Sequence, residues 1–399
     1  MDVTKIRRDF PALSDPGLVY FDTACQSLRP QSVLDAMDAY YREYPACSGR
    51  SMHHLAARVT QKVDDARTIT AKFLNASKKE EVIFTRNTTE GINLVANALS
   101  FKPGDVILIT DKEHNSNLIP WQKLCRQKGT LLKIVPTQTN GTFDLDAYAK
   151  LLNPNVKLVS FGHTSNLDGV TIPAAEIIKL AHKNGSHVLL DAAQSAPHRQ
   201  LNVKSLDVDF LAFSGHKLLG PSGTGVLYGK YALLDAMEPF LVGGDTVASS
   251  TYESAEFLPP PEKFEAGLQD YAGIIGLAAA LQYLQKVGFD AIQKQELEVT
   301  RVLTAGLQGI PGLHIIGPAD LALRGGITTF YIDGIDSHRI ALMLDQMRGI
   351  TVRSGQHCVH SWFHSRGIAG SVRASAYFYN TVDEAQLVID HLLKIRKVL

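Results

Sequence analysis

His187-Val-Leu-Leu-Asp191-Ala-Ala-Gln194 and, one helical stretch later, Asp209-Phe-Leu-Ala-Phe-Ser214-Gly-His216-Lys217 are the two segments whose reading decides the fold. Each is a short apolar run bounded by polar turn residues, the pattern of a strand buried on both faces. Each also ends in ionisable side chains. A carboxylate closing such a strand would cost several kcal/mol if left unpaired, so Asp191 requires a cationic partner. Lys217 closes the neighbouring run, and the chain between the two holds one helix and one strand. The two ends can therefore lie side by side at one edge of a sheet.

Working outward, the runs Val106 to Thr110, Leu131 to Pro136, Lys157 to Phe161 and Thr224 to Tyr228 read as further buried strands. Amphipathic stretches such as Thr60 to Leu74 and Ala174 to Lys183 lie between several of them. This alternation predicts an α/β fold with a mainly parallel sheet covered on both faces. Ligands in such sheets bind beyond the carboxyl ends of the strands. From Gly243 to Glu262 the periodicity stops, and Pro259-Pro260-Pro261 suggests a long loop. Helices over Gly273–Lys286, Ala291–Gln308, Ser337–Gln346 and Val382–Lys397 then alternate with strands near His314, Thr328–Ile332, Thr351–Arg353 and Ser371–Ala376. We expect a large domain over residues 17–269 and a smaller α+β domain formed by 1–16 and 270–399.

Composition narrows the function classes. In 399 residues, 40 Lys+Arg balance 40 Asp+Glu, so no net charge draws the chain to nucleic acid or an anionic membrane. No apolar stretch reaches the roughly 18 residues of a membrane span, and the first ten residues carry no apolar leader, so a cytoplasmic protein is expected. The four cysteines, Cys25, Cys47, Cys125 and Cys358, are too scattered for a disulfide framework or a zinc ribbon. Cys25, Cys47 and Cys125 read as structural.

Chemistry concentrates at three places: Asp191, the Ser214 to Lys217 turn, and Phe84-Thr-Arg-Asn87-Thr88-Thr89-Glu90-Gly91-Ile92. The last reads as a loop entering a helix, whose hydroxyls and free N–H groups suit a phosphate. A lysine at a strand end, a buried carboxylate and a phosphate cup are the parts that pyridoxal 5'-phosphate requires, with Lys217 bonding the cofactor and Asp191 facing its ring nitrogen. Taken singly, Asp191 and Lys217 have a plain buried ion pair as the lesser alternative, whereas Thr88-Thr89 alone is more often an ordinary helix cap; the combination argues against both. The set His357, His360 and His364 has the spacing of a solvated helix face, with a metal site as the lesser alternative.

Ser-Gly-His-Lys217-Leu-Leu-Gly-Pro, Asp191-Ala-Ala-Gln194, Arg86-Asn-Thr-Thr-Glu-Gly-Ile-Asn93, Glu113-His114 and Arg353-Ser-Gly-Gln-His-Cys358 together resemble the Suf-type cysteine desulfurases and selenocysteine lyases of the class V aminotransferase superfamily. The resemblance runs from about Phe10 onward. It implies a fold type I architecture with a seven-stranded sheet, a homodimer, and an enzyme that converts L-cysteine to L-alanine. Sulfur would pass as a persulfide on Cys358 to an acceptor protein, for uses such as iron–sulfur cluster assembly. By the same likeness, Lys217 and His114 are catalytic, while Thr88, Thr89, Asp191, Gln194, Ser214 and His216 hold the cofactor. Asn166, Arg373 and Arg50 contact the substrate. The rival readings are a selenocysteine lyase or other C–S lyase, an aminotransferase, and a non-catalytic sulfur scaffold, for which Lys217 and Asp191 would have no use.

The chain departs from the family pattern in three places. Asp22-Thr-Ala24-Cys25-Gln26 replaces Asp-x-Ala-Ala-Thr, and Gly49 stands where the first histidine of His-Arg-Gly-x-His would be. Leu268 replaces a threonine that in the family reaches the phosphate of the neighbouring subunit. Gln269 is the nearest substitute donor.

Overall fold

The computed structural model describes residues 1–49 and 51–398. Arg50, read above as a substrate contact, lies outside the described residues. Seven strands form the larger sheet: β1 (Val82–Thr85), β2 (Val106–Thr110), β3 (Leu131–Val135), β4 (Val156–Gly162), β5 (His187–Asp191), β6 (Phe210–Ser214) and β7 (Gly225–Gly229), in the order β1-β7-β6-β5-β4-β2-β3. Only β7 runs against its neighbours; the other pairings are parallel.

Burial explains the unbroken apolar runs. Val188 and Leu190 of β5 join Leu211 and Phe213 of β6 in one core cluster, whereas Leu189, Phe210 and Ala212 point into another on the opposite face. The period-2 alternation is thus present in space but invisible in hydropathy, because both faces are dry. In register, Leu189 pairs with Phe210 and Asp191 with Ala212, so β6 runs two residues past the end of β5. Helices α1 (His54–Leu74), α2 (Thr88–Ala98) and α3 (Ala174–Lys183) pack on the sheet. At Gly225 an added Cβ would lie 2.6 Å from the Cα of Asn87. Only glycine lets the start of α2 sit this close to β7.

After α4 (Tyr271–Val287) and α5 (Phe289–Gln308), a second, antiparallel sheet forms from β8 (Leu313–Ile316), β9 (Ile327–Ile332), β10 (Arg353–Gly355) and β11 (Ser371–Ser375), ordered β8-β9-β11-β10. It shares a core with α5, α6 (Ser337–Arg348) and α8 (Val382–Val398). The amino-terminal segment docks against this part of the chain. Arg7 donates to the Tyr379 carbonyl at 2.7 Å and pairs with Glu384 at 2.8 Å. Val19–Tyr20 pairs in parallel with Ile350–Thr351.

Three details differ from the sequence reading. The segment before Asn87 is not all loop: Val82–Thr85 is a strand, too short and too closely followed by the α2 cap to show a period. The run Thr351–Arg353 is divided, Thr351 pairing with the amino-terminal strand and Arg353 with β11. The stretch from Gly243 to Glu262 contains a hairpin, Val247–Ser250 against Ala255–Phe257, whose residues are almost all exposed and so carry no hydrophobic pattern.

Candidate active site

The carboxyl ends of β4, β5 and β6, with the segments that follow them, build the floor of a cavity of about 200 Å³. Asp191 is buried, and its Oδ1 accepts from the Ala193 N–H at 2.9 Å. Lys217 follows one turn after β6 and makes no ion pair with Asp191, although each feels the other's charge. Burial lowers the Lys217 amine and raises the Asp191 carboxyl, and their mutual attraction partly offsets both shifts. A buried acid and base that attract yet stand apart leave room for a group between them.

One wall is the start of α2. Asn87 caps it, Oδ1 accepting from Glu90 N at 3.0 Å. Thr88 is tied to β6, its N–H and hydroxyl lying 2.8 and 2.6 Å from Ser214 Oγ. Thr89 is exposed, with Oγ1 2.7 Å from Ser116 Oγ. Opposite stands His114, whose Nδ1 accepts from Ser116 N at 3.0 Å. Burial first, then the electrostatic influence of Lys217, Arg373 and His360, pushes its pKa down to about 3. The ring is therefore neutral near pH 7, and with Nδ1 accepting, the proton resides on Nε2. The preceding residue anchors this turn: the Glu113 carboxylate accepts from Thr110 Oγ1, Asn117 Nδ2 and Gly162 N, and Asn117 Oδ1 accepts in turn from Trp121 Nε1 and Ser160 Oγ. Burial raises the Glu113 carboxyl to about 7.

The far wall comes from the small sheet. Arg373, 3% exposed on β11, donates from Nη1 to the Asn166 carbonyl at 3.0 Å and lies 3.7 Å from Asp22. Its Nε has no partner among the described residues. Next to it the chain turns sharply: His357 and Cys358 both take left-handed conformations, with φ of 49° and 60°. Such backbone costs on the order of 1–2 kcal/mol per residue without glycine, so it must be held. Asn166 Nδ2 donates to the His357 carbonyl at 2.8 Å, Asn115 N to the Cys358 carbonyl at 2.7 Å, and Val359 N closes the turn onto Gln356 at 2.8 Å. Cys358 is left exposed at the mouth of the cavity.

The cavity wall thus brings together Lys217, Asp191, His114, Thr88, Thr89, Ser214, His216, Asn166, Arg373 and Cys358. Gln194 is not on it. Its Nε2 donates to the Ala24 carbonyl at 2.7 Å, and the side chain faces a separate cleft beside His198 and Arg324. That bond uses one of the two N–H groups on Nε2, and Oε1 has no partner among the described residues. The three histidines do not share a helix face, because His357 is buried in the turn against Ser371 while His360 opens α7 (His360–Arg366). Among the described residues no group of three or more metal-binding side chains occurs. Leu268 is exposed and off the cavity wall, and Gln269 spends its amide on the Ala266 and Gly267 carbonyls. Ser116 had no role in the sequence reading, Arg353 entered only as part of a motif, His357 was placed on a solvated helix face and Cys25 was read as structural, yet all four line the cavity. The departure at Asp22 to Gln26 was the available signal for Cys25.

These residues fit pyridoxal phosphate on structural grounds. An amine of lowered pKa and a buried carboxylate are held apart, a neutral imidazole faces the same space, and hydroxyls line the positive end of an 11-residue helix.

Comparison with known proteins agrees. The model of the family described as Aminotransferase class-V matches residues 19–388. A cysteine desulfurase of Synechococcus elongatus is 42% identical over 99% of this chain, which spans 64% of that protein's length. The apo structure of a cysteine desulfurase from Thermococcus onnurineus superposes with a TM-score of 0.95 at 39% identity, covering 99% of this chain and 98% of the other. A C-DES variant solved with glycine covalently linked to its PLP cofactor has a TM-score of 0.81 at 26% identity, with 98% of each chain covered.

Proposed function

The chain belongs to the class V aminotransferase family, with the fold type I architecture of its pyridoxal-phosphate enzymes, and from that premise we propose that it is a cysteine desulfurase, taking sulfur from L-cysteine onto Cys358 and releasing L-alanine. One observation carries this reading: a cysteine held in a left-handed turn opens onto the same cavity as Lys217 and Asp191. A transaminase or scaffold has no use for that arrangement.

Bound in the cavity, pyridoxal phosphate supplies an electrophilic carbon for an amine and a sink for the electron pair released at the substrate Cα. Thr88, Thr89, Ser214, His216 and the α2 N–H groups would hold its phosphate. Burial lowers His216 to about 4, so near pH 7 it serves there as a neutral donor. Asp191 would keep a proton at the ring nitrogen, and its raised pKa suits sharing one. His114 would present Nε2–H beside the ring. Arg373, with an unused Nε, would take the substrate carboxylate as a charge-assisted hydrogen-bond partner. Lys217, its pKa lowered by burial, would carry the proton from Cα and return it to the product carbon. Cys358 Sγ would attack the substrate sulfur, the S–S bond forming as the substrate Cβ–Sγ bond breaks with its electron pair left on the carbon fragment, whose protonation yields alanine, and Cys358 would keep the sulfur as a persulfide.

The proposal extends to the whole molecule. Residues 17–269 act as the cofactor domain, while 1–16 and 270–399 act as the domain that presents Cys358. An exposed Cys358 can be met by an acceptor protein, for which iron–sulfur cluster assembly is one destination. A cytoplasmic homodimer completes the reading; no helix among the described residues is long and apolar enough to cross a membrane. The test is product analysis with L-cysteine. Alanine and protein-bound or reducible sulfur in equal amounts support the reading, whereas pyruvate with free sulfide would assign a lyase.

A further inference from the structure

The cavity wall carries two thiols, not one. Cys25 follows the segment Asp22 to Ala24, which is fastened at several points: Cys25 N donates to the Asp22 carbonyl at 3.0 Å, Ala24 N to Ser375 Oγ at 2.9 Å, and Gln194 Nε2 to the Ala24 carbonyl at 2.7 Å. These bonds fix the backbone on either side of the thiol and leave its side chain half-buried on the same wall as Cys358. Arg373 is the second observation. It is buried, its Nε is unpartnered, it lines the same cavity, and both Cys25 and Cys358 lie near enough to act on its charge. An anionic sulfur on either cysteine thus meets the same cation. Cys47 and Cys125 have no comparable setting and do not line the cavity.

We propose that Cys25 is a second sulfur-carrying residue, which takes the sulfane sulfur from the Cys358 persulfide inside the cavity and frees Cys358 for another turnover. The proposal rests on the desulfurase reading. The Cys25 thiolate attacks the outer sulfur of Cys358–S–SH. A bond forms from Cys25 Sγ to that sulfur, using the Cys25 electron pair. The S–S bond to Cys358 breaks, its electron pair leaving on Cys358 Sγ as thiolate. The proton lost by Cys25 balances the one that the Cys358 thiolate can regain, and no oxidant or reductant is consumed. A persulfide extends the Cys358 arm by one S–S bond, about 2.05 Å, into the cavity that both thiols line.

Two measurements test this on the full-length holoenzyme. First, the protein receives isotopically sulfur-labelled L-cysteine, is alkylated at successive times, and its peptides are read by mass spectrometry. Label should appear first on the Cys358 peptide and then on the Cys25 peptide, and Cys358→Ala should leave Cys25 unlabelled. Label confined to Cys358 overturns the relay while leaving the desulfurase reading intact. Label on neither cysteine breaks the desulfurase reading itself. Label on Cys25 in Cys358→Ala at the parent rate would show that Cys25 takes sulfur straight from substrate, which also overturns the relay. Second, dibromobimane, which fluoresces when two neighbouring thiols alkylate it, should join the Cys25 and Cys358 peptides without any turnover. Absence of that crosslink, with each thiol singly modified, would place the two too far apart for transfer.

Discussion

The floor of the cavity and its mouth are built on opposite principles. The floor, at the ends of β4, β5 and β6, is fixed by continuous strand pairing, and the Glu113 and Asn117 hydrogen bonds brace the His114 turn above it. The mouth, from Gln356 to Val359, has no strand pairing at Cys358 and stays in place through hydrogen bonds from Asn115 and Asn166, which belong to the other sheet's loops. The floor is knit into the sheet itself. The mouth is kept by the turn's own bond, by the His357–Ser371 contact and by two bonds from the loops opposite. On the proposed function, proton transfer falls in the region held by strand pairing and sulfur transfer in the one held by scattered hydrogen bonds, which suits a thiol that must first reach inward and then meet an acceptor outside.

Replacing the floor's amine should have the largest effect. Lys217→Ala is expected to lower alanine formation from L-cysteine on the order of 10⁴-fold, the upper range for a single acid–base group, and to abolish borohydride-trapped cofactor. Activity within tenfold of the parent would break the distinction at its strongest point. Next, Cys358→Ala should still perturb the cofactor's visible spectrum on addition of L-cysteine, yet form no persulfide. Sulfide release at the parent rate in this variant would show that the mouth has no chemical role.

A smaller change tests how the mouth is held. Asn166→Ala removes the bond to the His357 carbonyl and should loosen the turn at a cost of about 1–3 kcal/mol, read as faster alkylation of Cys358. Unchanged alkylation would mean that Asn115 and the turn's own bond suffice. The smallest effect concerns the brace beneath His114. With its folded pKa raised from 4.5 to about 7, Glu113 favours the folded state fully below pH 4.5. That contribution is lost as pH rises through 7. Glu113→Gln should therefore flatten the decline of urea-unfolding stability between these pH values by up to roughly 3 kcal/mol. An undiminished slope would assign the decline to other groups.

The floor was the more legible region. His187–Asp191 and the Ser214 to Lys217 turn could be read from hydropathy alone, because strands buried on both faces are uninterrupted apolar runs. The mouth was legible only as a motif, since nothing in Arg353 to Cys358 announces two consecutive left-handed residues without glycine. Asn166 was read as a substrate contact; it lies on the cavity wall and also clamps the His357 carbonyl, a pairing across 191 residues that no local pattern encodes. The bond from Gln194 to the Ala24 carbonyl is likewise invisible locally, as the two lie 170 residues apart. Cys25 was taken for a small core residue, and its exposure to the cavity depends on the docking of the amino-terminal segment against β11.

The most direct test of the central claim, that the floor's proton chemistry is coupled to a thiol at the mouth, is a single-turnover reaction with limiting L-cysteine, quenched with alkylating reagent. The account requires that alanine and sulfur added to the Cys358 peptide rise together, one for one and at the same rate. Alanine or pyruvate appearing with Cys358 unmodified would contradict it.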